Sequence, residues 1–274
     1  MSASRESEPP RRGSKSLWRL TFGREDWGDR IAVVVVIVLI IAAMEIGSRF
    51  VPDYILPAPL AILEALVQFF THDLGQIVVT LLRLAMAVVF SMLVGTLIGA
   101  LMGMLPALRP FLSSLMIIDT GIPALSWMLI AIFWFKDAEI RIFFILTVIL
   151  LPFYAMNVHE GIRALPKDWL EMVESFRPSR WQVLRYLITP HIAAYILLTT
   201  KSVIGYATRM VIFAELIGAT VGIGTRMGLA EATFRIDQVF AWTVFLVALN
   251  AILQVLVSAA EKRLLRWRPE LEVR

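Results

Sequence analysis

Long uninterrupted apolar segments dominate the hydrophobic pattern of the chain. The clearest covers fourteen consecutive residues, 31–44, and further apolar stretches follow along the sequence. Because about 20 mostly apolar residues are needed to cross a bilayer, these stretches predict six membrane-spanning helices within residues 31–260. The predicted spans are 31–50, 84–105, 111–135, 142–156, 192–216 and 239–260. In the second span, Gly95, Gly99 and Gly103 repeat at four-residue spacing, which predicts close packing against another helix. The pattern indicates an all-α membrane protein.

Composition excludes most other classes of protein. Hydrophobic residues make up 58% of the 274 positions and charged residues 18%, a balance too apolar for a soluble or disordered chain. The sequence contains no cysteine, so disulfides, thiolate nucleophiles and cysteine-bound metals are excluded. The three histidines, His72, His159 and His191, do not have the spacing of a metal site. We therefore expect no metal and no cofactor.

Basic residues are distributed unevenly between the predicted loops. Seven Lys or Arg lie in residues 1–30, whereas residues 51–82 contain none. Because cytoplasmic loops of membrane proteins carry the excess of basic residues, both termini are predicted to be cytoplasmic. On this topology residues 1–30 form a basic, disordered N-terminus, residues 157–190 a cytoplasmic loop and residues 261–274 a basic tail. We attribute the net charge of +4 to topology and contact with anionic membrane lipid, and expect no nucleic-acid partner.

The long loop between the fourth and fifth predicted spans has the pattern of two short amphipathic helices. From Trp169 onward, apolar residues recur at helical spacing on one face of its first half. Pro178 disfavours helix at the preceding residue, and Ser179 with Gln182 forms a capping-box pattern at the start of a second helix. Pro190 is predicted to interrupt this second helix before the fifth span. Such a loop is typical of a docking element.

The same loop resembles the EAA loop of permease subunits in ABC-type importers. The family pattern is Glu-Ala-Ala, three residues, Gly, and then Leu-Pro before the next span. Here the chain reads EMVESFRPSRWQ over residues 171–182 and Thr-Pro at 189–190. Three other stretches are similar to the nitrate, sulfonate and taurine class of these permeases: LPAP at 56–59, IPALSW at 122–127 and AELIGATVGIG at 214–224. The resemblance covers residues 32–266 and implies a six-span permease with a helical coupling loop.

The resemblance also implies partners. A cytoplasmic ABC ATPase dimer would bind the coupling loop, a second permease subunit would complete the pathway, and a periplasmic or lipid-anchored binding protein would deliver the solute. The chain has no G-x-x-x-x-G-K-[ST] phosphate loop, so ATP hydrolysis is expected in a separate subunit. The solute is expected to be a small anion of the sulfonate, nitrate or taurine type, moved across a bacterial inner membrane by alternating access. The residues expected to contact the ATPase are Glu171, Met172, Val173, Phe176, Arg177, Ser179, Arg180 and Trp181.

Arg177 occupies the position where the family pattern has glycine. Glycine allows a positive φ angle and close approach of the backbone, whereas an Arg-Pro pair adopts such a conformation only at a cost in free energy. Two explanations are open. Either the ATPase partner has diverged to fit a bulkier loop with Met172 and Val173, or a different permease subunit carries the regular loop and this one couples weakly. The permease pair is accordingly either a homodimer or a heterodimer.

Charged residues inside the predicted spans are candidates for the transport path. A charge at the centre of a bilayer costs about 2.5–3.5 kcal/mol on insertion scales, so such residues are functional candidates. Asp119 and Arg209 either pair with each other to join two helices, or Arg209 lines the path and meets an anionic solute. Pro123 either kinks the third span or opens it into a pore-lining segment at residues 119–127. The residues expected along the translocation path are Asp119, Pro123, Trp127, Arg209 and Glu215.

Two other functions are compatible with a membrane protein of this kind. A secondary transporter driven by an ion gradient would use Asp119, Arg209 and Glu215. An integral-membrane enzyme would need a convergent cluster of His, Asp, Glu or Ser at an interface, which the sequence does not indicate. The structured loop at 157–190 favours the importer, because neither alternative requires a docking element.

Overall fold

The computed structural model describes residues 25–265, and within that range every regular element is a helix. These residues form eleven α-helices and one π turn. In chain order they are α1 (Glu25–Ser48), α2 (Pro59–His72), α3 (Leu74–Met104), α4 (Arg109–Gly121), α5 (Ala124–Trp134), α6 (Ala138–Arg163), α7 (Lys167–Ser175), α8 (Arg180–Val183), the π turn Leu184–Ile188, α9 (Thr189–Gly218), α10 (Ile223–Ala232) and α11 (Ile236–Leu264). The predicted all-α fold is confirmed.

Five helical segments of the described range are long and apolar enough to cross a membrane. They lie in α1, α3, α6, the helix that ends with α9, and α11. Taken together, α4 and α5 are also long and apolar enough, but the two helices meet at a bend of 97°. If this pair counts as one span, the number of spans is six. The bend falls where the sequence predicts it, because Pro123 has no N–H group and disfavours helix at Ile122, whose ψ angle of 124° is extended.

Several helix boundaries differ from the sequence-based prediction. α1 begins at Glu25, inside the segment predicted to be disordered, because a helix nucleated by an apolar run extends at little cost into its neighbours. Residues 1–24 and 266–274, on which most of the terminal predictions fall, lie outside the described residues. α3 begins at Leu74, ten residues before the predicted start, because its polar side chains find partners inside the protein. The apolar pattern does not reveal α2 and α10, which are shorter than a span.

The chain divides into two compact units, one up to Pro59 and the other from Leu60 onward. In the first, α1 ends at Ser48, and the turn that follows includes the Ile55 amide donating to the Pro52 carbonyl at 2.8 Å. The second contains α3 to α11, and all the candidate site residues lie in it.

The core of the second unit forms where α3, α6 and α9 pack together. Gly95, Gly99 and Gly103 of α3 face α6, as their four-residue spacing predicts. A Cβ atom on Gly95 would lie 2.6 Å from the Cβ of Tyr154, and one on Gly99 would overlap the carbonyl oxygen of Ala155. These glycines therefore allow two spans of one subunit to approach each other closely.

The helix that begins in α8 continues into α9 without a break over 38 residues. The prediction that Pro190 interrupts it is wrong, because the π turn Leu184–Ile188 accommodates the proline. Pro190 falls in the first turn of α9, where its missing N–H is tolerated. The Thr189 hydroxyl donates to the Leu184 carbonyl at 2.8 Å and satisfies one backbone acceptor of the π turn.

Candidate functional site

The loop between α6 and α9 has apolar side chains exposed on its surface. Its two short helices, α7 and α8, are separated by residues 176–179, where the sequence predicts the break. The predicted capping box is confirmed. The Ser179 amide donates to Gln182 Oε1 at 2.7 Å, and the Gln182 amide donates to Ser179 Oγ at 3.3 Å. Phe176 is 80% exposed and Trp181 65% exposed, and clustered apolar exposure of this kind is typical of a surface for protein contacts.

Four other residues predicted to contact an ATPase lie on the two helices themselves. Glu171 and Met172 are exposed on α7, and Val173 is half-buried beside them. Arg180 is the first residue of α8. The structure thus brings the predicted coupling residues onto one short stretch of chain, and their role in binding a partner stays a prediction.

Arg177 has a left-handed backbone conformation, with a φ angle of 49°. It follows the end of α7, where the Phe176 amide donates to the Val173 carbonyl at 3.1 Å. Helices are commonly ended by glycine at such a position, because the left-handed region costs a residue with a Cβ atom about 1–2 kcal/mol. The loop therefore keeps the kind of turn that glycine would form, and Arg177 adopts it under strain.

A cavity of about 580 Å³ lies between α9 and α11. Its wall is mostly apolar but includes polar side chains from both helices. On α9, Arg209 lines the cavity and donates from Nε to the Gly205 carbonyl at 3.2 Å. On α11, Thr243 and Asn250 line it, and the buried Oδ1 atom of Asn250 has no hydrogen-bond partner among the described residues. The cavity thus offers guanidinium, amide and hydroxyl groups to a ligand.

A second cavity of about 80 Å³ lies at the bend between α4 and α5. Asp119, Trp127, Phe153 and Tyr206 are among the residues that line it. Asp119 Oδ1 and Trp127 Nε1 are both buried, and the indole N–H lies within hydrogen-bonding reach of the Asp119 carboxylate. Pro123 lies in the bend itself, immediately before α5. Irregular backbone at membrane depth is tolerated where it borders a cavity, which this arrangement provides.

The charged residues of the two cavities do not pair with each other. Within residues 25–265 no ion pair joins Asp119 to Arg209, so the predicted pair between helices is absent. The reason is their placement. Asp119 lies at the bend and lines the cavity shared with α6, whereas Arg209 lines the cavity on the α11 side of α9. Arg209 remains the candidate for contact with an anionic solute.

Glu215, which is predicted to belong to the translocation path, lines neither of these cavities, and its place on the path stays a prediction. Its carboxylate is fully buried and accepts hydrogen bonds from Thr80 Oγ1 at 2.8 Å, Arg83 Nη1 at 2.7 Å and the Gly224 amide at 2.9 Å. Arg83 also donates from Nε to Glu139 Oε2 at 2.7 Å. A carboxylate with three donors is well satisfied, so Glu215 joins α9 to α3 and to the start of α10.

The turn between α9 and α10 requires glycine at two positions. Gly222 has a φ angle of 129°, and its amide donates to Gln76 Oε1 at 2.6 Å. A Cβ atom on Gly222 would overlap the Glu215 carboxylate, and one on Gly224 would overlap the Ile212 carbonyl oxygen. The two glycines at the end of the AELIGATVGIG stretch therefore let the backbone approach Glu215 closely.

Arg83 is the residue of this network that sequence reasoning missed. Its side chain is only 4% exposed and is paired with two carboxylates. The sequence did contain a signal for it. A carboxylate buried in a helix bundle, such as Glu215, needs a positive charge nearby. The predicted second span began at residue 84, which left Arg83 outside the membrane and removed the reason to look for its partner.

Comparison with known proteins gives consistent matches. Residues 91–266 match the sequence profile of the family described as binding-protein-dependent transport system inner membrane component. The taurine transport system permease protein TauC of Escherichia coli is 25% identical over 232 residues, 82% of this chain and 84% of that protein. The putative aliphatic sulfonates transport permease protein SsuC of Bacillus subtilis is 24% identical over 254 residues, 91% of this chain and 92% of that protein.

Solved structures of similar fold are also transporters. A crystal structure of an amino acid ABC transporter matches with a TM-score of 0.62 and 18% identity, over 72% of this chain and 96% of that chain. An inward-facing structure of the MetNI methionine ABC transporter matches with a TM-score of 0.59 and 17% identity, over 68% of this chain and 92% of that chain. At these identities the likeness concerns the fold.

Proposed function

The chain belongs to the binding-protein-dependent transport system inner membrane component family, and we propose that it is the subunit through which an ATP-driven importer carries a small anionic solute. As a member of this family, the chain is a multi-pass membrane protein and a permease component of an ABC-type transporter. The names of its relatives refer to taurine and aliphatic sulfonates, and they support a solute of the sulfonate type. Two features of the structure support the mechanism: the apolar loop and the cavity that Arg209 lines.

The observation that carries the proposal is the continuity between the exposed loop and the helix that bears Arg209. From Trp181 of α8 through the π turn to the end of α9, the chain forms one helix of 38 residues, about 57 Å long at 1.5 Å per residue. Trp169 of α7 lies edge-on to His191 near the start of α9, with 6.2 Å between ring centroids, which holds α7 to the same helix. A displacement of the loop by a closing ATPase dimer is therefore passed along α9 as a rigid-body movement.

The solute path follows from the position of Arg209. Its guanidinium lies on α9 beside a polar strip that includes Thr243 and Asn250, in a cavity large enough for a small organic anion. A guanidinium attracts an oxyanion by charge and by paired N–H donors, and a cavity with low-dielectric walls strengthens that attraction. Movement of α9 would change the access of this cavity to the two sides of the membrane in turn.

The proposal includes partners and an orientation. A cytoplasmic ATPase dimer binds the loop at residues 167–183, and a second permease subunit, identical or different, completes the path. A periplasmic or lipid-anchored binding protein delivers the solute at the opposite face. The termini and the loop lie in the cytoplasm of a bacterium, in agreement with the excess of basic residues in those segments. The ion-coupled alternative is weakened, because Glu215 is held by Arg83 and two further donors.

Co-purification tests the loop. The tagged chain is expressed with the ATPase encoded nearest to it, and the amount of ATPase retained in mild detergent is measured. We expect the double variant Phe176→Ala, Trp181→Ala to lose the ATPase, because it removes the two most exposed aromatic rings of residues 167–183. The control is Phe133→Ala, which removes a ring that is 88% exposed in α5, away from the loop; this variant should keep the ATPase.

The outcomes separate the hypotheses. Retention of the ATPase by the double variant, at the level of the unaltered chain, would contradict a coupling role for this surface. Co-purification that succeeds only when a second, different permease is co-expressed would assign a heterodimer and explain the departure at Arg177. Loss of the ATPase in the Phe133→Ala control would mean that the effect comes from disturbed insertion, not from the loop.

A further inference from the structure

An ion pair joins α9 to α11 at one end of the cavity between them. Lys201 Nζ on α9 lies 3.5 Å from Glu261 Oε2 on α11. The lysine is exposed and the glutamate half-buried. Among the ion pairs of residues 25–265, no other joins these two helices. The pair therefore links the two walls of the cavity directly.

The pair continues both cavity walls toward the loop between α6 and α9. On α9, Gly205 lines the cavity, and Lys201 lies four residues before it on the same helix face. On α11, Gln254 lines the cavity, and Glu261 lies seven residues, or two turns, after it on the same face. The ammonium group and the carboxylate thus meet beyond the last lining residues, at the end of the cavity nearer the loop.

The depth of the pair in the membrane agrees with a position at the mouth of the cavity. Lys201 precedes Gly218, the last residue of α9, by 17 positions, about 26 Å along the helix. Glu261 follows Ile236, the first residue of α11, by 25 positions, about 38 Å. Because the hydrocarbon of a bilayer is about 30 Å thick, the lysine lies just within its boundary and the glutamate just outside, on the side of the loop.

The lysine side chain extends along the groove between the two helices. α9 and α11 approach each other at Gly205, where a Cβ atom would lie 3.1 Å from Asn250 Oδ1. From this contact, Lys201 is about 6 Å and Glu261 about 16 Å further toward the loop side. The apolar stem of the lysine bridges this difference and brings its ammonium group to the polar boundary, as lysines near the ends of membrane spans commonly do.

We infer that the Lys201–Glu261 pair closes the loop-side mouth of the cavity between α9 and α11, and that it separates when the loop displaces α9. The inference rests on the proposed function and adds the residues that control access from one side. An exposed ion pair contributes little to stability, so it breaks and re-forms at small cost in free energy. This suits a contact that opens in every transport cycle, whereas the buried Arg83–Glu215 pair is costly to break.

Thiol labelling from the loop side tests the closure directly, since the chain contains no cysteine. Thr243→Cys places a reporter thiol in the cavity wall. The full chain is labelled in inside-out membrane vesicles with a membrane-impermeant anionic methanethiosulfonate. Added to the reporter, Lys201→Gln and Glu261→Gln should each raise the labelling rate about twofold to fivefold, because loss of the pair shifts the population toward the open mouth. The combined variant Lys201→Glu, Glu261→Lys should label as slowly as the reporter alone, because the pair re-forms with its charges exchanged.

Two controls separate closure from other effects. Attraction or repulsion of the anionic reagent alone would speed labelling in Glu261→Gln and slow it in Lys201→Gln, whereas closure predicts faster labelling in both. Asp237→Asn breaks the exposed pair with Arg235 at the opposite end of α11 and should leave the labelling rate unchanged. Thermal unfolding should be the same in all these variants, whereas a pair that only staples the helices would lower Tm without faster labelling.

A chemical lock gives the converse measurement. In a chain with Lys201→Cys and Glu261→Cys and no other thiol, a reducible bis-methanethiosulfonate joins the two positions. The lock should abolish solute uptake by the complete transporter, and a reductant should restore it. Co-purification of the ATPase should persist in the locked chain, because the residues of the loop are unaltered.

The outcomes distinguish this inference from the proposed function. Unchanged labelling in both Gln variants, opposite changes in the two, a charge-exchanged variant that labels as fast as the single variants, or a reporter that is never labelled from the loop side would each overturn the inference. Undiminished uptake by the locked transporter would do the same. None of these results bears on whether the loop binds an ATPase, because labelling is measured without ATPase or solute. Faster labelling combined with failure of the co-purification test would keep the closure and reject the coupling role.

Discussion

Arg83 and Glu215 depend on each other because both are withdrawn from solvent. The Arg83 side chain is 4% exposed and that of Glu215 is fully buried, and 2.7 Å separates the guanidinium from the carboxylate. A buried ion pair of this kind adds little stability over an apolar pair, but removal of one partner leaves the other charge uncompensated. The pair therefore determines how α3, α9 and α10 meet.

Replacing Arg83 by methionine should be strongly destabilising. Arg83→Met leaves the Glu215 carboxylate buried without its cation, which costs about 3–5 kcal/mol. The free energy of unfolding in detergent measures the loss. Adding Glu215→Gln to the same chain should restore part of it, because the uncompensated charge is then gone.

The matched control for Arg83 is an ion pair at the surface. Arg235 and Asp237 are joined at 3.0 Å, with the arginine side chain 52% exposed. Arg235→Gln should change stability by less than about 1 kcal/mol, since exposed pairs contribute little. Equal effects of Arg83→Met and Arg235→Gln would contradict the structural role of the buried network.

Arg177 gives a second prediction at the scale of one residue. If its backbone conformation is what the loop requires, Arg177→Gly should bind the ATPase at least as well as the unaltered chain, because glycine adopts a φ of 49° without strain. Arg177→Val should bind more weakly, because a β-branched residue is disfavoured in the left-handed region. The retained ATPase in the co-purification assay is the measurement. If the glycine variant loses as much ATPase as the valine variant, the guanidinium and not the turn makes the contact.

Single residues were predicted from the sequence where their chemistry is local, and missed where it depends on a distant partner. Asp119 and Arg209 were identified because each is a charge within an apolar run. Their separation into two cavities was not predictable, since it depends on the direction of the bend between α4 and α5. Glu215 was likewise singled out as a charge in an apolar segment. The sequence does not reveal its pairing with Arg83, because the two residues are 132 positions apart.

At the scale of helices, the contact between α3 and α6 is sensitive to added volume. Gly99→Ala should destabilise the protein by about 1–3 kcal/mol, because its Cβ atom would overlap the Ala155 carbonyl and lie 2.8 Å from Val158. Gly75 lies on the same helix, and a Cβ atom added there would have no neighbouring atom within 4 Å, so Gly75→Ala should be neutral or stabilising by about 0.5–1 kcal/mol. Thermal unfolding of both variants measures the difference. A tolerated Gly99→Ala would mean that the two helices are not in close contact.

Helices were predictable wherever an apolar run or a proline marks them. The bend at Pro123 and the break at Pro178 follow from local backbone chemistry, and both are present. Pro190 was predicted to break its helix in the same way, but the helix continues through it. The π turn before Pro190 places the proline in the first turn of α9. The beginning of α3 was set too late, because hydropathy alone does not register that Thr80 and Arg83 are satisfied by a buried carboxylate.

At the scale of the whole molecule, the loop and the solute cavities are linked by one continuous helix. The segment that begins at Trp181 ends at Gly218, and it carries Tyr206 and Arg209 along its length. A movement at the loop and a change at the cavities are therefore expected together. The sequence predicted the loop and the family, but not this continuity, since it depends on how one proline is accommodated.

The most direct test of the whole account is solute uptake in proteoliposomes that contain this permease, its ATPase and the matching binding protein. Uptake of radiolabelled 2-aminoethanesulfonate should require ATP and all the components. It should be insensitive to collapse of the pH gradient and should fall at least tenfold in Arg209→Gln, in which the solute loses a charged partner. Uptake that proceeds without ATP or the ATPase, and that follows an imposed pH gradient instead, would contradict the importer and establish an ion-coupled transporter in its place.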